Sequence, residues 1–185
     1  MKTGTLTRIA VVTLAMVFAV GTASAQLNSG AQTIALNANL TESLTVNLSA
    51  AAVNFTLAAG TAANPGSTNI TATTAWVLKP GRTAVGVYAY FASSASALTD
   101  GAGNNIPSAD FFIADNGGAS TALTNTVAFG GANAGLQLAN VAITGANKSS
   151  SRTDVMAFNI NLSTLPQLPA NTYTGTLNIQ AQATP

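Results

Sequence analysis

Ile70-Thr71-Ala72-Thr73-Thr74-Ala75-Trp76-Val77-Leu78-Lys79-Pro80-Gly81-Arg82-Thr83-Ala84-Val85-Gly86-Val87-Tyr88-Ala89-Tyr90-Phe91 is the stretch whose periodicity decides the fold. Ile70, Ala72, Thr74, Trp76 and Leu78 fall on every second position, Lys79-Pro80-Gly81-Arg82 interrupts, and Val85, Val87, Ala89 and Phe91 resume the same step. A step of two belongs to a half-buried strand, whose successive side chains point to opposite faces; a helix repeats every three to four. Pro and Gly supply the backbone angles of a reversal. With Lys79 opposite Arg82, the spacing predicts a hairpin in which Trp76 faces Val85, Thr74 faces Val87, Ala72 faces Ala89 and Ile70 faces Phe91. All these side chains then share one face, and a slip of one residue would scatter them.

The same step continues in both directions. Upstream, Ile34, Leu36, Ala38 and Leu40 alternate with polar residues, Leu44, Val46 and Leu48 do so again, and Val53, Phe55 and Leu57 form a third set before the break from Gly60 to Gly66. Downstream, Ser93 to Pro107 reads as a long loop, followed by a short strand near Asp110 to Ile113 and strands near Leu123 to Phe129 and Leu136 to Ile143. The last of these changes face between Leu138 and Val141, as a bulge requires. Lys148 to Arg152 reads as a polar turn. Met156, Phe158, Ile160 and Leu162 then alternate, Leu165 to Ala170 breaks the chain with two prolines, and Tyr173, Gly175, Leu177, Ile179 and Ala181 make the final strand. No helical repeat follows the first 25 residues. Short strands punctuated by Gly, Pro, Asn and Ser, with no helical crossovers, predict an all-β fold, an antiparallel Ig-like β-sandwich.

Composition excludes several chemistries. The 185 residues include no Cys and no His, and only 6% are charged. A disulfide framework, a thiolate or imidazole metal site and a Ser-His-Asp triad are therefore out of reach. So sparse a set of Lys and Arg does not suit nucleic acid, whose phosphates need several cations. Asp100, Asp110, Asp115 and Asp154 show no acid-base spacing, so no catalytic residue, metal or cofactor is assigned. Asp100-Gly101-Ala102-Gly103-Asn104-Asn105 offers oxygen ligands but lacks the spacing and terminal Glu of a calcium loop. Asn-x-Ser/Thr matches at Asn39, Asn47, Asn54, Asn69, Asn147 and Asn161 arise from alternating Asn and Thr on strand exteriors, and are not read as glycosylation sites.

Lys2 and Arg8, the apolar run Ile9 to Val20 and the small-residue site Ala23-Ser24-Ala25 predict a signal peptide over 1–25. The run is shorter than the roughly 18 residues that cross a bilayer. The expected mature chain is exported, to the cell surface or medium, without membrane insertion. It divides into an extension, 26–40, and a sandwich domain, 41–185.

Tyr173 is either one more core aromatic or, since Asn171-Thr172-Tyr173-Thr174-Gly175 after the Pro-containing break has the form of the corner between the fifth and sixth strands of Ig-like sandwiches, the tyrosine of that corner. The strand ending at Ala183 is then the sixth, and the seventh is missing. An edge left open beside an apolar groove invites strand addition. The alternating extension offers one: Ile34, Leu36, Ala38 and Leu40 would fill the groove of a neighbouring copy as a donor strand. Such head-to-tail insertion does not close and builds a fibre. The other reading folds the extension onto its own last strand, giving a monomeric binding module, and Tyr88 and Tyr90, pointing away from the core face, would then form a platform for a glycan or protein. Covered by a loop, they serve only as packing.

With its alternating N-terminal strand and the ending Leu168-Pro169-Ala170-Asn171-Thr172-Tyr173-Thr174-Gly175-Thr176-Leu177, the chain resembles bacterial fimbrial subunits, in particular the spore-coat-U-like pilus subunits. The resemblance implies an incomplete Ig fold, help from a periplasmic chaperone and assembly into surface filaments. It departs in lacking a disulfide and a terminal aromatic residue. Charge placement agrees with assembly: no charge lies between Glu42 and Lys79 and none follows Asp154, whereas strands that must stay unpaired usually carry charges.

Overall fold

A computed structural model describes residues 29–123, 129 and 135–185. The expected signal peptide and most of the strand expected between Leu123 and Phe129 lie outside them. The chain divides into two units, Met1–Asn39 and Leu40–Pro185. Residues 29–42 carry no strand, although Gln32 to Leu40 alternates as a strand would. Alternation alone does not make one, because a strand exists only where its backbone has a partner to bond.

The second unit is all-β. In chain order its strands are β1 (Ser43–Leu48), β2 (Asn64–Pro65), β3 (Ile70–Val77), β4 (Ala84–Phe91), β5 (Leu98–Thr99), β6 (Asn105–Ile106), β7 (Phe111–Asp115), β8 (Thr121–Ala122), β9 (Leu136–Ala142), β10 (Ser149–Ile160) and β11 (Leu177–Thr184). One 3₁₀ turn, Ser108–Asp110, is the helical element among the described residues. One sheet runs β1-β3-β10-β7-β8 with β2 on β10, a second runs β11-β4-β9, and β5 and β6 form a small hairpin. All pairings are antiparallel, and the whole is an Ig-like β-sandwich.

The predicted hairpin does not form. β3 bonds to β1 and β10, while β4 bonds to β11 and β9, so Lys79-Pro80-Gly81-Arg82 carries the chain from one sheet to the other. Gly81 turns it there with φ +95°, which a side chain would strain. The two apolar sets still meet, face to face across the sandwich. Trp76, Leu78 and Val85 pack as one buried cluster, and Ile70, Ala72, Ala89 and Phe91 join the main core. A step of two says which side chains share an apolar layer, and it is silent on which backbones are bonded. Trp76 is 3% exposed and donates its indole N–H to the Asn147 carbonyl at 2.8 Å, fixing the loop after β9. Replacing it by Phe, which keeps most of the apolar bulk but strands that carbonyl, is expected to cost about 1–2 kcal/mol in urea unfolding.

Three further expectations change. Val53, Phe55 and Leu57 are half-buried in alternation, yet their segment is bonded to its neighbour only by the Phe55–Gly66 bridge and Asn54–Ser67 contacts. Ser93 to Pro107 is an ordered insertion: it holds β5 and β6, and Ala97, Leu98 and Ile106 enter the core. Ser149 to Arg152 is the start of β10, paired with Val77 to Thr74, so the polar turn ends at Lys148. The expected bulge is present, since Val87 faces Ala139 and Tyr88 faces Gln137, which leaves Leu138 as the extra residue.

Candidate functional site

The sandwich core opens between the edges of its two sheets. β11 bonds to β4 along one edge, and among the described residues no strand bonds along the other. Among the described residues β1 bonds only to β3, and the chain after Leu48 leaves the ladder apart from Ser49, whose backbone N–H donates to the Thr71 carbonyl and whose hydroxyl accepts from the Thr71 N–H. Between these edges lies a groove of about 780 Å³. Val53, Phe55 and Leu57 form one wall, Leu168, Tyr173, Leu177 and Ile179 the other, and Phe91, Phe111, Phe158 and Ile160 the floor. Phe111 stands at the centre of that floor, edge-on to Phe55 and Phe91 with ring centroids 5.8 and 5.1 Å away. No charged side chain lines the groove.

Local chemistry holds both walls. Asn64, 1% exposed, accepts from the Ala58 N–H at 2.7 Å and donates to the Ile160 carbonyl at 2.8 Å, which ties the segment after Leu57 to β10. On the opposite wall Tyr173 donates its hydroxyl to the Pro169 carbonyl, four residues upstream, at 2.8 Å. That is the bond a tyrosine corner makes. Burial, and after it the Asp100 carboxylate nearby, keep this hydroxyl protonated above the usual tyrosine range.

The residues singled out as a donor strand are all exposed, Ile34 by 85%, Leu36 by 90% and Leu40 by 83%, with Ala38 exposed beside them. Glu42, which leads into β1, is fixed by Arg82 at 2.8 and 3.2 Å and by Lys79 at 3.8 Å. Arg82 also donates to the Ala183 carbonyl at 3.1 Å, so the sandwich begins at the level where β11 ends.

Tyr88 and Tyr90 are half-buried on the outer face of β4. The Tyr88 hydroxyl accepts from the Gln137 amide at 2.9 Å, and its ring meets Phe129 edge-on at 5.3 Å. Tyr90 donates to Gln180 at 3.2 Å. Ser93 to Pro107, a loop that could have covered them, instead sends Ala97, Leu98 and Ile106 into the core. Asp100 likewise spends its carboxylate on protein donors: the N–H groups of Ala102 and Asn104 at 2.8 and 3.0 Å, and the side-chain amides of Asn104 and Asn171 at 2.7 and 3.1 Å. These bonds, led by the Asn104 amide, lower its pKa to about 2. No cluster of three or more acidic side chains suited to a metal occurs among the described residues.

One charged group escaped the sequence reading. Asp154 is fully buried, bonded to Arg152 at 2.6 and 2.7 Å, and beside Asp115 and Asn116. Its parity with Met156, Phe158 and Ile160 was the available signal, since even positions of β10 face inward.

No family model, curated protein or solved structure matches the chain. Among the described residues no helix is long and apolar enough to cross a membrane.

Proposed function

We propose that this protein is an exported, non-enzymatic structural subunit that polymerises by donor-strand complementation, as the fimbrial subunits it resembles do. The observation that carries the reading is the apolar groove beside the edge of β11 to which no strand bonds among the described residues. An alternating strand entering it would bond its backbone to that edge and bury every second side chain in the core. Ile34, Leu36, Ala38 and Leu40 supply such a face, and their exposure leaves it free to be donated.

In this reading the acceptor is a neighbouring copy, to which the exposed face of Ile34, Leu36, Ala38 and Leu40 is presented whole. The monomeric binding reading has less support, because both tyrosine hydroxyls are engaged by glutamines and one ring meets Phe129 edge-on.

Native mass measurement and electron microscopy of the purified mature protein test the proposal. The expected result is a ladder of head-to-tail oligomers extending into filaments. A monomer that persists at high concentration and takes up no peptide of residues 31–42 would overturn it.

A further inference from the structure

We infer that the inserted hairpin β5–β6 is a brace that holds the far wall of the groove ready for an incoming strand, with Asn171 and Asp100 as its positioning residues. This rests on the donor-strand reading and concerns what sets the affinity of that site.

Residues 169–175 form the wall beside the beginning of β11, and they belong to no strand of either main sheet. Their hydrogen bonds to the rest of the described fold all run to two residues of the hairpin. Thr99 and Thr174 exchange backbone bonds, both at 2.9 Å, and the Asn171 amide donates to Asp100 at 3.1 Å. The other polar contacts of the segment are internal: Tyr173 to Pro169, and the Thr172 N–H to the Asn171 side-chain oxygen at 2.8 Å. The hairpin is itself anchored, because Ala97, Leu98 and Ile106 are buried in the core and Asp100 closes its turn through Ala102 and Asn104. It also approaches the wall closely. A Cβ on Gly175 would overlap the Ala97 carbonyl, so glycine lets the two backbones lie against each other.

An entering strand must find the β11 edge and this wall at a fixed spacing. Were residues 169–175 free, each insertion would first have to order them, and that cost would subtract from the affinity. Fastened to a buried hairpin, they are ordered beforehand. Asn171 is exposed, so its loss removes the side-chain tie, leaves the wall held by the Thr99–Thr174 backbone pair, and does not disturb the core.

The test uses the full chain carrying Ile34→Ser and Leu36→Ser, which blunts its own donor face, and a fluorescent peptide of residues 31–42 as probe. This parent is expected to take up the peptide. Adding Asn171→Ala should weaken uptake about tenfold, the worth of one charge-assisted hydrogen bond, with the thermal midpoint nearly unchanged. Asn171→Asp sets a second carboxylate against Asp100 and should weaken it further at pH 7. Part of that loss should return at acid pH, where one of the two facing carboxyls takes a proton and can donate it to the other. Peptide affinity unchanged in both variants would overturn the brace and leave the donor reading standing. No uptake by the parent would overturn both.

Discussion

Replacing Leu36 by Asp is expected to abolish assembly while leaving the sandwich folded. Leu36 is 90% exposed, so the change removes no contact that the core needs. In the proposed filament the same side chain lies in an uncharged groove floored by phenylalanines. Losing a buried leucine costs about 3 kcal/mol, and placing a carboxylate there without a partner costs at least as much again. Together these weaken subunit addition by more than about 10³-fold. Asn37→Asp is the control: it lies on the opposite parity, where a donated strand faces outward, and should change assembly by only a few-fold. Light scattering over a concentration series reads both. Leu36→Asp polymers as long as those of the parent would remove the donor face from the proposal, and an equal loss from Asn37→Asp would point to charge alone.

Arg152→Ala should be the most damaging single change to stability at a charged position. Asp154 is fully buried while Arg152 is 36% exposed, so the arginine reaches in from the surface to neutralise an inward-facing carboxylate. Removing it leaves that charge beside Asp115, whose pKa is already raised, first by burial and then by the Asp154 charge. Breaking one side of such a pair costs about 3 kcal/mol, at the lower end of the buried range because Arg152 keeps some solvent. The sign of the pH dependence follows. A carboxyl whose pKa is raised on folding opposes folding once pH climbs above its unfolded value near 3.8, because the folded state resists the charge. Arg152 offsets that resistance, so its absence matters most at neutral pH and least near pH 3, where Asp115 carries a proton in both states. Urea unfolding of Arg152→Ala at pH 7 and pH 3 checks this. A deficit of the same size at both would show that lost packing, and not charge, carries the effect.

Much of the architecture was readable from residue order because burial in a sheet imposes a step of two. Val85 to Phe91 and Met156 to Leu162 face inward as their spacing predicts, and Leu138 is extra where the face changes. Parity would also have placed Asp154 inside, but an isolated aspartate reads as a surface residue until its arginine is seen beside it. The loop expected over Ser93 to Pro107 misled for a related reason. Its small polar residues look like solvent-exposed chain, and only Ala97, Leu98 and Ile106 enter the core.

Residue order by itself determined that this chain is a β-sandwich with long uncharged stretches between Glu42 and Lys79 and after Asp154, and which side chains form its apolar layer. Tertiary structure alone decided which strands are bonded. It placed Ile70–Val77 and Ala84–Phe91 in opposite sheets, left one edge of Leu177–Thr184 without a partner among the described residues, and fastened residues 169–175 to a hairpin some seventy residues earlier. The division has a physical cause. Side-chain parity is a local property, fixed by neighbours two positions away, whereas backbone pairing is a competition among all edges of the chain, settled only when the whole core closes.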